Sequence, residues 1–213
     1  MPKLLDLFCC EGGAAQGYAD AGFEVVGVDI LPQPRYPFMF VQSDALEFAQ
    51  RNARHFDAIH ASPPCQDASI TKRLHDKHRP RLVAETRRVL RDLGKPYVIE
   101  NVDGASLANP TLLCGNMFGL RTYRHRLFQT SFPLTAPLHW AHTGKYGPIN
   151  AKMGRPVGEN ENIHIVGNFS NVPLAREIMG CDWMSRRGLS EAIPPAYTRW
   201  IGEQLLAALE RAA

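Results

Sequence analysis

The strongest constraint on the fold lies in the first 29 residues. An apolar run from Lys3 to Phe8 meets a turn at Glu11-Gly12-Gly13, and a helical stretch then extends to Ala21. Gly22 follows where a helix C-cap glycine belongs, and a β-branched run from Glu24 to Val28 ends on Asp29. Two strands separated by a helix cannot form a tight hairpin. They pair in parallel through a crossover, so the chain opens a βαβ unit and an α/β sheet.

The pattern continues. Phe38 to Val41 reads as a third strand, with Asp44 just beyond it. Phe56 to Ala61 reads as a fourth and runs into Ser62-Pro63-Pro64-Cys65. Leu82, Thr86, Val89 and Leu93 form one helical stripe, flanked by Val83 and Leu90. Tyr97 to Ile99 reads as a fifth strand ending at Glu100-Asn101. Asp29, Cys65 and Glu100 therefore all follow strands. Ligands in open parallel sheets bind at the carboxyl ends of the strands, so these three are expected on one rim.

From Phe132 to Glu161 periodicity fades and Pro, Gly and Asn become frequent, as in a loop-rich subdomain; order is expected to return at Ile163-His164-Ile165-Val166. A last helix after Pro194-Pro195 carries Tyr197, Trp200, Ile201, Leu205 and Leu209 on one face. The 213 residues suit one domain with a small appendage. No apolar run is long enough to span a membrane, and the N-terminus lacks the pattern of a signal peptide. Five cysteines without a C-x-x-C point to a reduced, cytoplasmic protein. The eight histidines do not stand in metal-ligand spacing with those cysteines, so no metal site is expected. The net charge of +3 is unevenly distributed. Residues 1–60 carry 4 Lys/Arg against 8 Asp/Glu, whereas residues 61–130 carry 12 against 6. A basic middle third suits a polyanion, or simply a solvated helix face.

Cys65 is the sharpest candidate nucleophile. Two prolines fix its loop, and Lys72, Arg73, Lys77, Arg79 and Arg81 follow. A buried, inert thiol is the alternative. Glu100 closes an apolar strand, where desolvation raises a carboxyl pKa and suits a proton donor; a structural carboxylate is equally open. Gly12, Gly13 and Gly17 form only a partial dinucleotide-type signal, because Cys10 stands where the first glycine would be. Asp29 suits ribose hydroxyls and Asp44 an adenine amine, and either Asp could instead cap a helix. Arg121-Thr122-Tyr123-Arg124-His125-Arg126 reads as a phosphate- or base-contacting turn, or as an exposed charged one.

These residues, in this order, resemble the DNA cytosine-5 methyltransferases. Asp6-Leu7-Phe8 with Gly12-Gly13 is similar to the family's first motif, and Asp29 and Asp44 to its ribose and adenine acids. Pro64-Cys65-Gln66 matches the catalytic Pro-Cys-Gln, Glu100-Asn101-Val102 the Glu-Asn-Val, and Arg124 with Arg126 the Arg-x-Arg pair. Leu174-Ala175-Arg176-Glu177 with Met179-Gly180, and Ala192-Ile193-Pro194-Pro195, resemble the two closing motifs. The resemblance touches most of residues 3–130 and 171–205.

The resemblance implies a Rossmann-like class I methyltransferase fold. Residues 1–130 and 171–213 would form the S-adenosylmethionine-binding catalytic domain, and 131–170 a small target-recognition region. Phe8, Ile30, Ala45, Pro63 and Ala192 would join Asp6, Gly12, Gly13, Asp29 and Asp44 around the cofactor. Cys65, Glu100, Arg124 and Arg126 would act on a flipped cytosine. Gln66, Ser69, Lys72, Arg73, Trp140 and Lys145 would join the two arginines on double-stranded DNA, with the protein a monomer. Four positions depart from the family pattern: Cys10 for Gly, Thr122 for Gln, Glu191 for Asn, and Asp67 for an apolar residue. A tRNA cytosine-5 methyltransferase and a non-catalytic nucleic-acid-binding homologue are the alternatives, the latter opposed by intact Cys65, Glu100 and Arg126.

Overall fold

Side chains along the first strand alternate between two helical layers. In β1 (Lys3–Leu7), Leu4 joins a core with Tyr18, Phe23, Tyr197, Ile201 and Leu205. Leu5 and Leu7 join the opposite core with Ala45, Ala49, Leu90 and Ile99. A strand buried on both faces carries apolar residues at successive positions, as Leu4 and Leu5 do in β1. The computed structural model describes residues 1–64, 82–146 and 157–212.

After β1 come α1 (Gly13–Ala21), β2 (Glu24–Asp29), β3 (Met39–Gln42), α2 (Ala45–Asn52) and β4 (Ala58–Ala61). Then follow α3 (Leu82–Leu93), β5 (Tyr97–Asn101), β6 (Thr111–Leu113) and β7 (Arg126–Thr130). Three helices, α4 (Val172–Met179), α5 (Arg186–Glu191) and α6 (Pro195–Ala212), complete the described chain. The seven strands form one sheet in the order β3-β2-β1-β4-β5-β7-β6. The first five strands in sequence pair in parallel, and β7 is antiparallel to both β5 and β6. The order reverses between β1 and β4, and a crevice opens there at the carboxyl ends.

The expected α/β class with a mostly parallel sheet is what forms. The face expected on the last helix is the buried one: Tyr197, Ile201 and Leu205 are sealed, while Trp200 at its edge donates Nε1–H to the Thr135 carbonyl. Gly17 lets α1 and α6 touch. A Cβ there would strike the Pro195 carbonyl and the Thr198 hydroxyl, so this glycine serves helix packing rather than a phosphate loop. Strands β6 and β7 were not expected, because a three-residue strand and a charged turn show no alternation long enough to read. Ile163 and Ile165 form no strand. They join Phe169, Ala175, Ile178, Met184 and Leu189 in a third core under α4 and α5. No helix among the described residues is long and apolar enough to cross a membrane.

Candidate active site

The crevice at the reversal point is a cleft of about 580 Å³. Its walls come from the ends of four parallel strands. β1 and the turn after it give Asp6, Phe8, Cys9, Cys10, Glu11 and Gly13, and the end of β2 gives Asp29 and Ile30. The end of β4 gives Ser62, Pro63 and Pro64, and the end of β5 gives Glu100, Asn101 and Val102. Arg126 enters from β7, and Arg187, Glu191 and Ala192 close the cleft from α5 and beyond.

Of the residues expected around a cofactor, Asp6, Phe8, Gly13, Asp29, Ile30, Pro63 and Ala192 line this one cleft. Gly12, Asp44 and Ala45 stand outside its lining. Gly12 adopts φ 83° with Tyr36 and Pro37 against it, so its role is to let the turn close. Asp44 is exposed and caps α2 by accepting the Glu47 N–H at 2.9 Å, the helix-cap alternative for this residue. Asp29 is buried, accepting the backbone N–H of Cys10 at 3.1 Å and of Leu31 at 2.9 Å. It thus ties the glycine turn to the end of β2. Cys10, at φ 46°, holds a left-handed conformation that favours the glycine usual in such turns, and Phe8 at φ 59° begins the same bend.

Asp6 is 1% exposed. One carboxylate oxygen accepts the Tyr36 hydroxyl at 3.4 Å and the other has no partner. Burial, with the nearby Asp29 charge, pushes its pKa up to about 8 against the Tyr36 hydrogen bond. A buried carboxyl in a cleft wall, with one oxygen unpartnered, is where a cationic ligand gains most. This fits the sulfonium and ammonium of S-adenosylmethionine. Ile30, 64% exposed at the mouth, adds apolar surface that a purine would cover.

At the far end of the cleft Glu100 is buried and paired with Arg126, Oε1 to Nε at 3.0 Å. Burial raises its pKa, opposed by the Arg126 and Arg124 charges and by the Ser62 hydroxyl. Behind it runs a chain of polar groups. Tyr18 hydroxyl meets His60 Nδ1 at 2.9 Å, and His60 Nε2 meets Ser62 Oγ at 2.8 Å. Burial drops His60 to about 3, so the ring is neutral at physiological pH. One tautomer satisfies the chain: Tyr18 donates to Nδ1, Nε2–H donates to Ser62, and Ser62 donates to Glu100.

Asn101 fixes the neighbouring loop, its Nδ2 donating to the Pro63 carbonyl at 2.8 Å. Pro64, the last described residue before Cys65, lines the cleft beside Glu100. Cys65, Gln66, Ser69, Lys72 and Arg73 lie outside the described residues.

The two arginines of the 121–126 turn part company. Arg126 faces the cleft, whereas Arg124, expected to contact cytosine and DNA, is buried with its guanidinium held elsewhere. Nε donates to the Ala192 carbonyl at 2.7 Å, Nη1 to Ile165 at 2.6 Å and Nη2 to Ser190 at 2.9 Å. A planar fork with five N–H groups suits that task, and it leaves the group clamping the loops after β7 to the end of α5. Trp140 is exposed, and its carbonyl accepts from Asn116; Lys145 is exposed too. Neither lines the cleft.

Two contacts were not foreseen. Glu11 accepts the N–H and hydroxyl of Ser185 at 2.7 and 2.6 Å, joining the glycine turn to the start of α5. The sequence signal was there: Ser185 stands where an N-cap belongs. The second is a correction to the reading of the histidines. Spacing along the chain sets them apart from the cysteines, yet folding gathers ligand atoms of Cys114, His125, His139 and His142 within 4.8 Å of one another. Strand register and a returning loop, which spacing does not encode, bring them together.

A family model for the C-5 cytosine-specific DNA methylases matches residues 2–117, just over half of the chain. No curated protein sequence matches it. Among solved structures, one similar fold is a DNA modification methyltransferase encoded within an E. coli prophage, 16% identical over 99% of this chain and 100% of that one, with a TM-score of 0.67. A DNMT2 variant from Spodoptera frugiperda is 14% identical over 99% and 100%, TM-score 0.60. A methyltransferase from Entamoeba histolytica is 12% identical over 98% and 99%, TM-score 0.60. At these identities the likeness speaks to architecture, and the architecture is the class I methyltransferase fold.

Proposed function

We propose, since the chain belongs to the C-5 cytosine-specific DNA methylase family, that it methylates C5 of a cytosine flipped out of double-stranded DNA, in a short sequence context, through a covalent bond from Cys65 to C6. S-adenosylmethionine supplies the electrophilic methyl group.

Cytosine C5 is a poor nucleophile. Addition of the Cys65 thiolate to C6 makes an Sγ–C6 bond and pushes the ring electrons toward N3 and C5. Glu100 delivers a proton to N3, a task favoured by a carboxyl whose burial raises its pKa. Arg126, 3.0 Å from Glu100, orients that carboxyl and holds the base at O2. C5 then takes the methyl group. Loss of the C5 proton to solvent returns electrons to the C5–C6 bond and expels the thiolate, and the N3 proton goes back to the Glu100 carboxylate. Asp6 and Asp29 would hold the cofactor, and Ile30 would offer apolar surface to its purine.

The observation that carries this reading is the Glu100–Arg126 pair, buried at the end of the same cleft that holds the orphaned Asp6 carboxylate. An electrophile site and a base site share one cavity. A duplex base must leave the stack to reach it. The test is trapping on DNA containing 5-fluorocytosine, run beside a tRNA containing the same base. A methyl-donor-dependent adduct with DNA, lost in Cys65→Ala, is expected. An adduct with tRNA alone moves the substrate to RNA, and an adduct that survives Cys65→Ala removes the nucleophile.

A further inference from the structure

We propose that Cys114, His125, His139 and His142 form a tetrahedral site for a divalent transition-metal ion, zinc above all, which fastens the segment after β7 to the turn carrying Arg126.

The strand register builds half of the site. β6 and β7 pair antiparallel with Thr111 opposite Phe128, Leu112 opposite Leu127 and Leu113 opposite Arg126. One step further along this register, Cys114 faces His125. Cys114 is fully buried and begins the 3-10 turn Gly115–Phe118, so its thiol is fixed by the backbone on both sides. The other half comes from a segment that leaves β7 and folds back. Asn116 holds it in place by donating Nδ2–H to the Trp140 carbonyl at 2.7 Å. His139 and His142 flank Trp140 and reach the hairpin end together. Tyr123 stacks flat on the His142 ring, with centroids 3.8 Å apart, and sets its plane.

The geometry is that of ligands rather than of hydrogen-bonded rings. His142 Nε2 lies 3.3 Å from Cys114 Sγ, 3.3 Å from His125 Nε2 and 3.0 Å from His139 Nε2. A ring nitrogen has either one proton or one lone pair, so it cannot serve three such neighbours. The three imidazoles also present the same atom toward one point. With zinc–nitrogen bonds of about 2.0–2.1 Å, nitrogen ligands on a tetrahedron sit about 3.3 Å apart. A cation placed among these atoms answers all the contacts at once.

Three nitrogens and one thiolate select a borderline-soft ion with tetrahedral preference over magnesium or calcium, which take oxygen ligands. Four protein ligands leave no open position, so the ion is structural. Binding forms a metal–sulfur bond at Cys114 and releases the thiol proton to solvent. His125 stands between Arg124 and Arg126, so the ion would stiffen the turn that aims Arg126 at Glu100.

The experiment measures metal in the full chain, purified without chelator and then titrated with zinc against a chromophoric competitor. About one equivalent per chain is expected, with cobalt substitution giving the intense visible bands of a tetrahedral thiolate site. His139→Ala and His142→Ala, at exposed positions, are expected to fold and to lose more than about 100-fold in zinc affinity, beyond what loss of an outer-shell partner costs. His55→Ala, remote from the cluster, is expected to bind as the parent does. A folded parent that fails to compete for zinc overturns the proposal, and so does unchanged affinity in both histidine variants. Neither readout depends on methyl transfer, so a failed adduct assay leaves this result standing.

Discussion

From β3 across to β5 the sheet is parallel, and each of four strands delivers its working residues to the same edge: Asp6 from β1, Asp29 from β2, Ser62 to Pro64 after β4, and Glu100 from β5. Beyond β5 the sheet turns antiparallel, and its important residues meet across the register or through loops: Cys114 with His125, and Arg124 with carbonyls of Ile165, Ser190 and Ala192. The difference lies in where the information sits. In a parallel sheet every carboxyl end lies on one rim, so a strand followed by a polar residue already names a site residue. In the antiparallel end a neighbour is fixed by pairing, and the partner can stand tens of residues away. Damage there should therefore cost structure before chemistry, and the opposite should hold along the parallel rim.

Arg124→Ala presses that contrast hardest. It removes three charge-assisted hydrogen bonds and leaves the carbonyls of Ile165, Ser190 and Ala192 short of a donor. A loss of about 5 kcal/mol is expected, enough to unfold a marginal domain. Arg124→Lys should recover little, because one ammonium cannot imitate the planar fork. Urea unfolding of the two variants checks both points. A variant at Arg124 with parental stability and reduced DNA affinity would instead return this residue to the substrate.

The same contrast explains what the sequence could convey. The ends of β1, β2, β4 and β5 are readable within a residue or two, because an apolar run stops where Phe8, Asp29, Ser62 and Glu100 begin. Arg124 and Arg126 look alike in sequence. Two residues apart on the approach to β7, one faces the cleft and one faces the interior, a choice made by the carbonyls of a segment some 40 to 70 positions later. Asp44 follows a strand much as Asp29 closes one, but a helix begins immediately after it, and the unpaired N–H groups of that helix claim its carboxylate. Gly17 reads as part of a phosphate loop because its true neighbour, α6, lies at the other end of the chain. The histidine cluster stays hidden for a similar reason: its ligands are separated by a strand, a turn and a returning loop.

On the parallel side, Asp6→Asn should trade binding for stability. The folded-state pKa of Asp6, near 8, stands above its unfolded value of 3.8. Between these values the unfolded chain has released the proton and the folded chain keeps it. The contribution is therefore fully present below pH 3.8 and is lost as pH rises through about 8. Asn retains the shape without the ionisation. In the absence of cofactor the variant should gain on the parent steadily from pH 5 to pH 8, by roughly 4 kcal/mol at pH 7 as an upper bound. Denaturant midpoints across that range measure it, and S-adenosylmethionine binding by calorimetry should weaken in parallel. A stability difference independent of pH would mean that Asp6 is already ionised in the folded chain.

The smallest effect is expected within the glycine turn itself. Cys10 holds φ at 46°, where a side chain costs about 1–2 kcal/mol relative to glycine. Cys10→Gly relieves that strain, but glycine gives back about 0.5–1 kcal/mol through the freer unfolded chain. A net gain of about 0.5 kcal/mol is left, with the Cys10 N–H still available to the Asp29 carboxylate. A shift of that size is readable as a small rise in urea midpoint at unchanged slope. A drop instead would show that the Cys10 side chain stabilises this wall of the cleft by more than the backbone strain costs. The departure from glycine would then be a packing choice on the cofactor side, bringing to the parallel rim the kind of tertiary dependence otherwise found at the antiparallel end.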